Sequence, residues 1–216
     1  MEVISVTHRS LAQRLLMLAT PTALAAGVLL PTSALAAPAT PHFGTETATV
    51  AGLSSHHHHG TATSGVKWVE TTDATSGITF KLPGKPKMRE VPKEEAGDYP
   101  ARVYAVPTSD GFMYFLVMDV HGAGPAQLED AAEGTRQGMA DEWGGASVTS
   151  QKHNTVDGHP ALDVRLSSTK GDHKFATTRS VLNDDHIVQV VTVGSQANEK
   201  SVIEAQEQAV AGLRIP

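Results

Sequence analysis

Residues 146–193 read ASVTSQKHNTVDGHPALDVRLSSTKGDHKFATTRSVLNDDHIVQVVTV, and this stretch carries the strongest structural signal in the chain. It contains four extended runs, which are Ala146–Val156, His159–Ser168, His173–Leu182 and His186–Val193. Short turns separate them at Asp157-Gly158, Lys170-Gly171-Asp172 and Asn183-Asp184-Asp185. Turns this short join antiparallel neighbours, so the stretch predicts a four-stranded β-meander.

Further strands are predicted upstream of the meander. Extended patterns occur at Ile78 to Leu82, Met88 to Val91 and Tyr99 to Val106. Next comes Phe112 to Val120, which is apolar on both of its faces. A strand of that kind needs cover on both sides, and we expect it at the centre of the sheet.

Two helices accompany the strands. Gly124-Pro125 opens the first helix, Gly144-Gly145 ends it, and its apolar residues include Trp143, which we expect in the core. Asn198 is the expected N-cap of the second helix, whose stripe is formed by Val202, Ala205, Ala209 and Leu213. The prediction is an α+β fold, a mainly antiparallel twisted sheet of about 6–8 strands covered by two amphipathic helices.

The N-terminus has the layout of a secretory signal peptide. Arg9 and Arg14 precede an apolar stretch from Leu15 to Leu30, and small residues around Ala36-Ala37 form a cleavage site. The competing interpretation is a retained membrane anchor, which Pro21 and Pro31 disfavour. We expect residues 1–37 to be removed by the general secretion route, and the protein to be secreted or extracytoplasmic.

Residues 38–65 are expected to form a flexible spacer. They consist mostly of Ala, Thr, Ser, Gly and Pro together with a tract of four histidines, and Glu46 is their one charged residue. Such a segment has too little apolar surface to offset its ordering entropy. The folded domain is therefore expected to span residues 66–216.

Composition excludes several classes of protein. The chain has 216 residues, of which 40% are hydrophobic and 19% charged, with no cysteine and a formal charge of -6. This is unlike a collagen, a disulfide scaffold or a multi-pass membrane protein. Loss of residues 1–37 would remove Arg9, Arg14 and Glu2 and leave a charge of -7, so we expect neither nucleic acid nor a membrane as partner.

The domain resembles the PsbP-like superfamily, which includes small exported bacterial proteins of the DcrB-like kind. The resemblance rests on Phe80-Lys81-Leu82-Pro83-Gly84-Lys85-Pro86, on the helix after the central strand, on the hairpin from Thr155 to Ala161 and on the closing helix. It covers about residues 67–216. It implies a non-enzymatic accessory or binding module, and the family has no common catalytic motif to carry over.

The most conspicuous local feature is the run His56, His57, His58 and His59. Neutral imidazole is a ligand for zinc, copper and nickel, so the tract is a candidate site for capturing these ions. The alternative is a low-complexity spacer or a tag-like insertion, because serines precede the run and a glycine follows it.

A third hypothesis is a hydrolase whose site is assembled from distant residues. The domain holds five more histidines, which could converge with Asp119, Asp157, Asp163, Asp172 or Asp185; they are His121, His153, His159, His173 and His186. Several lie beside predicted turns, where an imidazole is simply solvated. The sequence contains no nucleophile elbow, zincin helix, P-loop or dinucleotide fingerprint.

The sequence thus predicts an exported, non-enzymatic accessory or binding module whose partner is another protein or a cell-wall component. Transition-metal capture by His56 to His59 and the hydrolase remain the alternatives.

Replacing the four histidines of the tract with alanine tests the metal hypothesis. We expect the substitution to abolish submicromolar binding of zinc or copper, measured by titration calorimetry, because no other run of the chain offers four adjacent imidazoles. Unchanged binding would contradict a role for the tract and would direct attention to the histidines of the domain.

Overall fold

A computed structural model of the protein describes residues 66–92, 99–171 and 173–216. They form nine strands and two helices in an α+β arrangement. The strands are β1 (Trp68–Thr72), β2 (Thr79–Pro83), β3 (Lys87–Val91), β4 (Ala101–Pro107), β5 (Phe112–Asp119), β6 (Ala146–Val156), β7 (His159–Ser168), β8 (Lys174–Asn183) and β9 (His186–Ser195). The helices are α1 (Ala126–Trp143) and α2 (Glu199–Ala211).

Seven strands form one antiparallel sheet in the order β3-β4-β5-β9-β8-β7-β6. The predicted meander is confirmed, because β6, β7, β8 and β9 are successive neighbours. The predicted central strand is confirmed as well. β5 pairs with β4 on one side and β9 on the other, and its residues from Met113 to Met118 are buried on both faces.

A separate hairpin, β1 with β2, packs its apolar side chains under the sheet. Phe80 stacks on Phe115 of β5, with ring centroids 3.8 Å apart, and meets Tyr104 of β4 edge to face at 5.0 Å. The sequence pattern predicted the strand from Ile78 to Leu82 but not its partner β1, whose residues lack clear alternation.

Helix α1 packs on one face of the sheet, against β6, β7 and β8. It begins after Pro125 and ends at Gly144, which has a φ of 72°. That left-handed conformation suits glycine at a helix end. Trp143 is buried as expected.

Helix α2 lies on the opposite face, against β8, β9 and β2. Asn198 occupies the N-cap position, but its side chain makes no capping hydrogen bond. A 3₁₀ turn over Gln196–Asn198 precedes the helix instead, and the hydroxyl of Ser195 accepts a hydrogen bond from the amide of Ala197. The cap therefore lies one short turn earlier than the sequence predicted.

The two helices leave the sheet unequally covered. On the α2 side, β5, β9 and β4 are buried by α2 and by the hairpin. Arg165 on β7 and Lys152 on β6 point to the same side and are exposed.

In the part of the chain that the structure describes, no helix is long and apolar enough to cross a membrane.

Gly111 marks the tight turn between β4 and β5. A Cβ atom there would lie 2.3 Å from the carbonyl oxygen of Val193 on the neighbouring strand β9. We expect Gly111→Ala to lower the free energy of unfolding by about 1–3 kcal/mol, because backbone atoms must move to relieve the overlap. Chemical denaturation measures the loss.

Gly124→Ala is the matched control for Gly111→Ala. The nearest atom to its added Cβ is the flexible Gln127 Oε1 at 3.5 Å, an ordinary contact. We expect this variant to stay within about 0.5 kcal/mol of the wild type. Equal losses in the two variants would contradict the steric explanation.

Candidate functional site

The histidines of the domain do not converge. His121 Nδ1 lies 3.2 Å from Asp185, His153 Nε2 lies 3.4 Å from Glu129, and His186 Nδ1 lies 3.1 Å from Asp119. The other two, at positions 159 and 173, sit at the ends of turns. Among residues 66–92, 99–171 and 173–216, no three histidine or carboxylate side chains are placed to hold a metal ion.

The tract from His56 to His59 lies outside the described residues. Metal capture by zinc, copper or nickel ligation there stays a prediction. Of the residues offered for the hydrolase site, Asp172 also lies outside them.

A buried network of charges joins the hairpin to one end of the sheet. Arg102 Nε donates to Asp73 Oδ1 at 2.7 Å, and both terminal nitrogens of Arg102 donate to the two oxygens of Asp119 at 2.7 Å. The carboxylate of Asp73 also accepts hydrogen bonds from Tyr104 Oη at 2.6 Å and from the amide and hydroxyl of Ser76. Asp73 is fully buried and Arg102 nearly so.

The charges of this network determine the pKa values of its members. Burial alone raises the pKa of Asp73, but hydrogen bonds from Arg102, Ser76 and Tyr104 outweigh it and lower the pKa to about 2. The pKa of Asp119 is lowered in the same way, since the hydrogen bonds from Arg102 outweigh burial. Burial and the carboxylate of Asp73 raise the pKa of Tyr104.

The polar side chains of this network are hydrogen-bonded within it. Asp119 is bound at both oxygens by Arg102, and the one side chain hydrogen-bonded to His186 in the described chain is that of Asp119. The network attaches the hairpin to β4 and β5.

An open cleft lies on the α2 side of the sheet, over the polar part of the meander. Its volume is about 430 Å³, including the solvent at its mouth. Strands β6, β7 and β8 form its floor, and α2 forms one wall. The residues that line it are Ser150, Lys152, Asp163, Arg165, Thr177, Arg179, Ile203, Gln206 and Glu207.

The floor of the cleft is held in place by hydrogen bonds. Arg179 binds Asp163 through two nitrogens, one of them 2.8 Å from Oδ2, and its Nη2 lies 3.4 Å from Glu207 of α2. The hydrogen bonds to Asp163 raise the pKa of Arg179. Gln206 donates to the carbonyl of Val190 at 2.8 Å, so helix and sheet are joined across the buried side of the cleft.

Two cations of the cleft face solvent. Lys152 and Arg165 are exposed, and within the described ranges neither side chain takes part in an ion pair or a hydrogen bond. The two carboxylates nearby, Asp163 and Glu207, form their ion pairs with Arg179. An arrangement of donors with unpaired positive charge on a rigid floor suits a ligand that carries carboxylates or other anionic groups.

Sequence reasoning did not identify this cleft. Arg165 stands at an alternate position of β7, whose other positions are the apolar Leu162, Val164 and Leu166, whereas Lys152 lies in β6 between the polar residues Gln151 and His153. That alternation predicts an outward-facing polar side. The missing information was that α2 stops short of β6 and β7 and therefore leaves this side concave.

Comparisons with known proteins identify the fold. No protein-family model matches the chain, and no curated protein matches it. Among solved structures, cyanobacterial PsbP (CyanoP) from Synechocystis sp. PCC 6803 superposes with a TM-score of 0.54, covering 72% of this chain and 96% of CyanoP at 10% identity. The chain therefore has a PsbP-like fold.

Two further structures show weaker likeness. LpqN, involved in cell envelope biogenesis of Mycobacterium tuberculosis, matches at 15% identity with a TM-score of 0.41, over 69% of this chain and 91% of LpqN. The Saccharomyces cerevisiae Ran-binding protein Mog1p matches at 12% identity with a TM-score of 0.44, over 70% of this chain and 96% of Mog1p.

Asp73→Asn tests the buried network. Because the folded-state pKa of Asp73 is about 2 and its ordinary value is 3.8, its ionic stabilisation is fully present above pH 4 and is lost as the pH falls towards 2. In that pH window we expect the free energy of unfolding of the wild type to fall by about 2 kcal/mol through protonation of Asp73. The variant should lack this part of the acid dependence. At pH 7 the variant should be less stable by about 3 kcal/mol, because Arg102 loses one buried partner.

Denaturation at a series of pH values measures both effects. Asp110→Asn is the control, because Asp110 is exposed and, among the described residues, its side chain accepts a hydrogen bond from the hydroxyl of Ser109 and makes no ion pair. An acid dependence that is identical in the wild type and in Asp73→Asn would contradict the assignment.

Proposed function

We propose that the chain is an exported, non-enzymatic accessory protein, of the DcrB-like kind, that binds another component of the cell envelope or extracellular space through the cleft between α2 and the meander. The observation that carries the proposal is the pair Lys152 and Arg165, two exposed cations without partners among the described residues, set on a floor held by hydrogen bonds. Binding needs such a preformed surface, and it needs no reactive group.

The chemistry of the cleft supports binding rather than catalysis. No histidine lines the cleft beside the hydroxyl groups of Ser150 and Thr177. Its two carboxylates, Asp163 and Glu207, both bind Arg179. A serine or threonine without an adjacent base is a weak nucleophile. The hydrolase hypothesis gains no support from the contacts of the domain histidines.

Export is part of the proposal. It rests on the arginine-containing, apolar and small-residue layout of residues 1–37. The partner is a protein or a cell-wall component that carries negative charge. Metal capture by His56 to His59 remains a separate hypothesis, and no contact among the described residues favours it.

Affinity capture from the native host tests this function. The full-length chain, exported by its own host, is exposed to envelope and culture fractions, and the bound components are quantified. We expect one saturable component whose capture falls about tenfold in the double variant Lys152→Ala/Arg165→Ala and weakens with added salt, because the contacts are ionic.

Lys87→Ala is the matched control for this capture, since Lys87 is an exposed lysine on the opposite edge strand β3. It should retain full capture. Equal capture by the wild type and the double variant would contradict the cleft as the binding site, and capture of nothing by the folded wild type would contradict the binding function.

A further inference from the structure

Strand β6 forms one edge of the seven-stranded sheet and is exposed along almost its whole length. It pairs with β7 on its inner side, and no other strand in the described ranges pairs with its outer side. From Ser150 to Val156 the register with β7 is uninterrupted. This seven-residue stretch therefore presents backbone donors and acceptors to solvent, with one exception: the amide of Thr155 donates to Asn154 Oδ1 at 2.7 Å.

The irregular part of β6 limits the length of this row. The register with β7 shifts between Val148 and Ser150, the mark of a β-bulge. A bulge twists the strand and interrupts pairing. Any added strand would consequently run beside residues 150–156, not beside the whole of β6.

The side chains of this stretch alternate between the two faces. Lys152 stands directly opposite Asp163 of β7, and Ser150 opposite Arg165, so both lie on the cleft side. Residues 151, 153 and 155 lie on the other side, where His153 pairs with Glu129 of α1. The cleft and the free edge are thus two parts of one surface.

We infer that residues 150–156 accept an extended acidic segment of a partner protein as an eighth strand, whose carboxylates on alternate residues bind Lys152 and Arg165. The inference rests on the proposed function and names the mode of recognition. Side chains at every second residue of the added strand would project over the cleft. The first cation lies on the adjacent strand and the second about 4.8 Å further in, within reach of glutamate side chains.

The backbone row favours a peptide over other anions. Only another extended main chain matches its donors and acceptors at the two-residue repeat, which is the basis of recognition by strand addition. A polyanionic saccharide or a free phosphate could neutralise Lys152 and Arg165 but would leave that row to water.

Charge also favours an acidic partner over a second copy of this chain. Antiparallel pairing of two copies of residues 150–156 about their centre, His153, would set Lys152 of each copy opposite Asn154 of the other, with the two Lys152 side chains on one face at the diagonal spacing of about 7–8 Å. Long side chains of like charge still reach each other at this diagonal spacing and repel. A lysine on an edge strand is a common device against self-pairing.

Peptide binding to the full-length chain tests the inference. Three peptides of about nine residues are compared by fluorescence anisotropy: one alternates glutamate with threonine, one groups the same residues in two blocks, and one alternates lysine with threonine. We expect the wild type to bind the alternating glutamate peptide most tightly of the three. Its affinity for that peptide should fall about tenfold in Lys152→Ala/Arg165→Ala and stay unchanged in Lys87→Ala. Hydrogen exchange should show new protection of backbone amides in residues 150–156.

N-methylation of the alternating glutamate peptide separates strand addition from simple charge attraction. Methyl groups on the amides of one edge of the peptide should abolish binding, while methyl groups on the other edge should leave it unchanged, because one edge alone pairs with β6. Equal affinity of both methylated peptides, or no binding by any peptide at about 1 mM, would overturn the inference.

Two other outcomes would also overturn it. Protection of residues 150–156 in a dimer without peptide would assign the edge to a second copy, and binding of a polyuronate without such protection would assign the cleft to a cell-wall polymer. If the host component is still captured in a manner dependent on Lys152 and Arg165 while the peptides fail, the proposed function stands and the strand-addition mode falls.

Discussion

Strand β5 has apolar side chains on both faces, and the whole architecture follows from the need to cover them. The residues from Met113 to Met118 are all buried. Side chains on one face belong to the core cluster that includes the buried residues of α1. Those on the other face pack in the cluster formed with α2 and the hairpin β1–β2. Burial of large side chains on both sides of a strand contributes most of the free energy available to a domain without disulfides.

On the α2 side the cover extends over β4, β5 and β9 but not over β6 and β7, the outer strands of the meander. Helix α2 lies against β8 and β9, and the hairpin lies under β4 and β5. Strands β7 and β6 therefore keep polar side chains on the α2 side. The cleft with Lys152 and Arg165 is a consequence of this geometry, because the edge of the sheet extends beyond the helix that covers its centre.

Charged groups divide into those that serve the fold and those that remain open. Arg102 binds both Asp73 and Asp119 in a largely buried network, which holds the hairpin against the sheet. Arg179 plays a similar role between Asp163 and Glu207. Three of the five histidines of the domain, His121, His153 and His186, each contact a different carboxylate, so they do not form one centre.

The sequence by itself determined the meander, the doubly buried strand and the two helices. These features depend on local signals: the period of the apolar residues, the turn residues Asp157-Gly158, and the glycine after Trp143. The tertiary structure decided the rest. The contact of Asp73 with Arg102 joins residues 29 positions apart, and the cleft brings Lys152 of β6 beneath Glu207 of α2. Periodicity shows which side of a strand is apolar, but only packing decides how far the covering helix extends, and that extent left two cations open to a ligand.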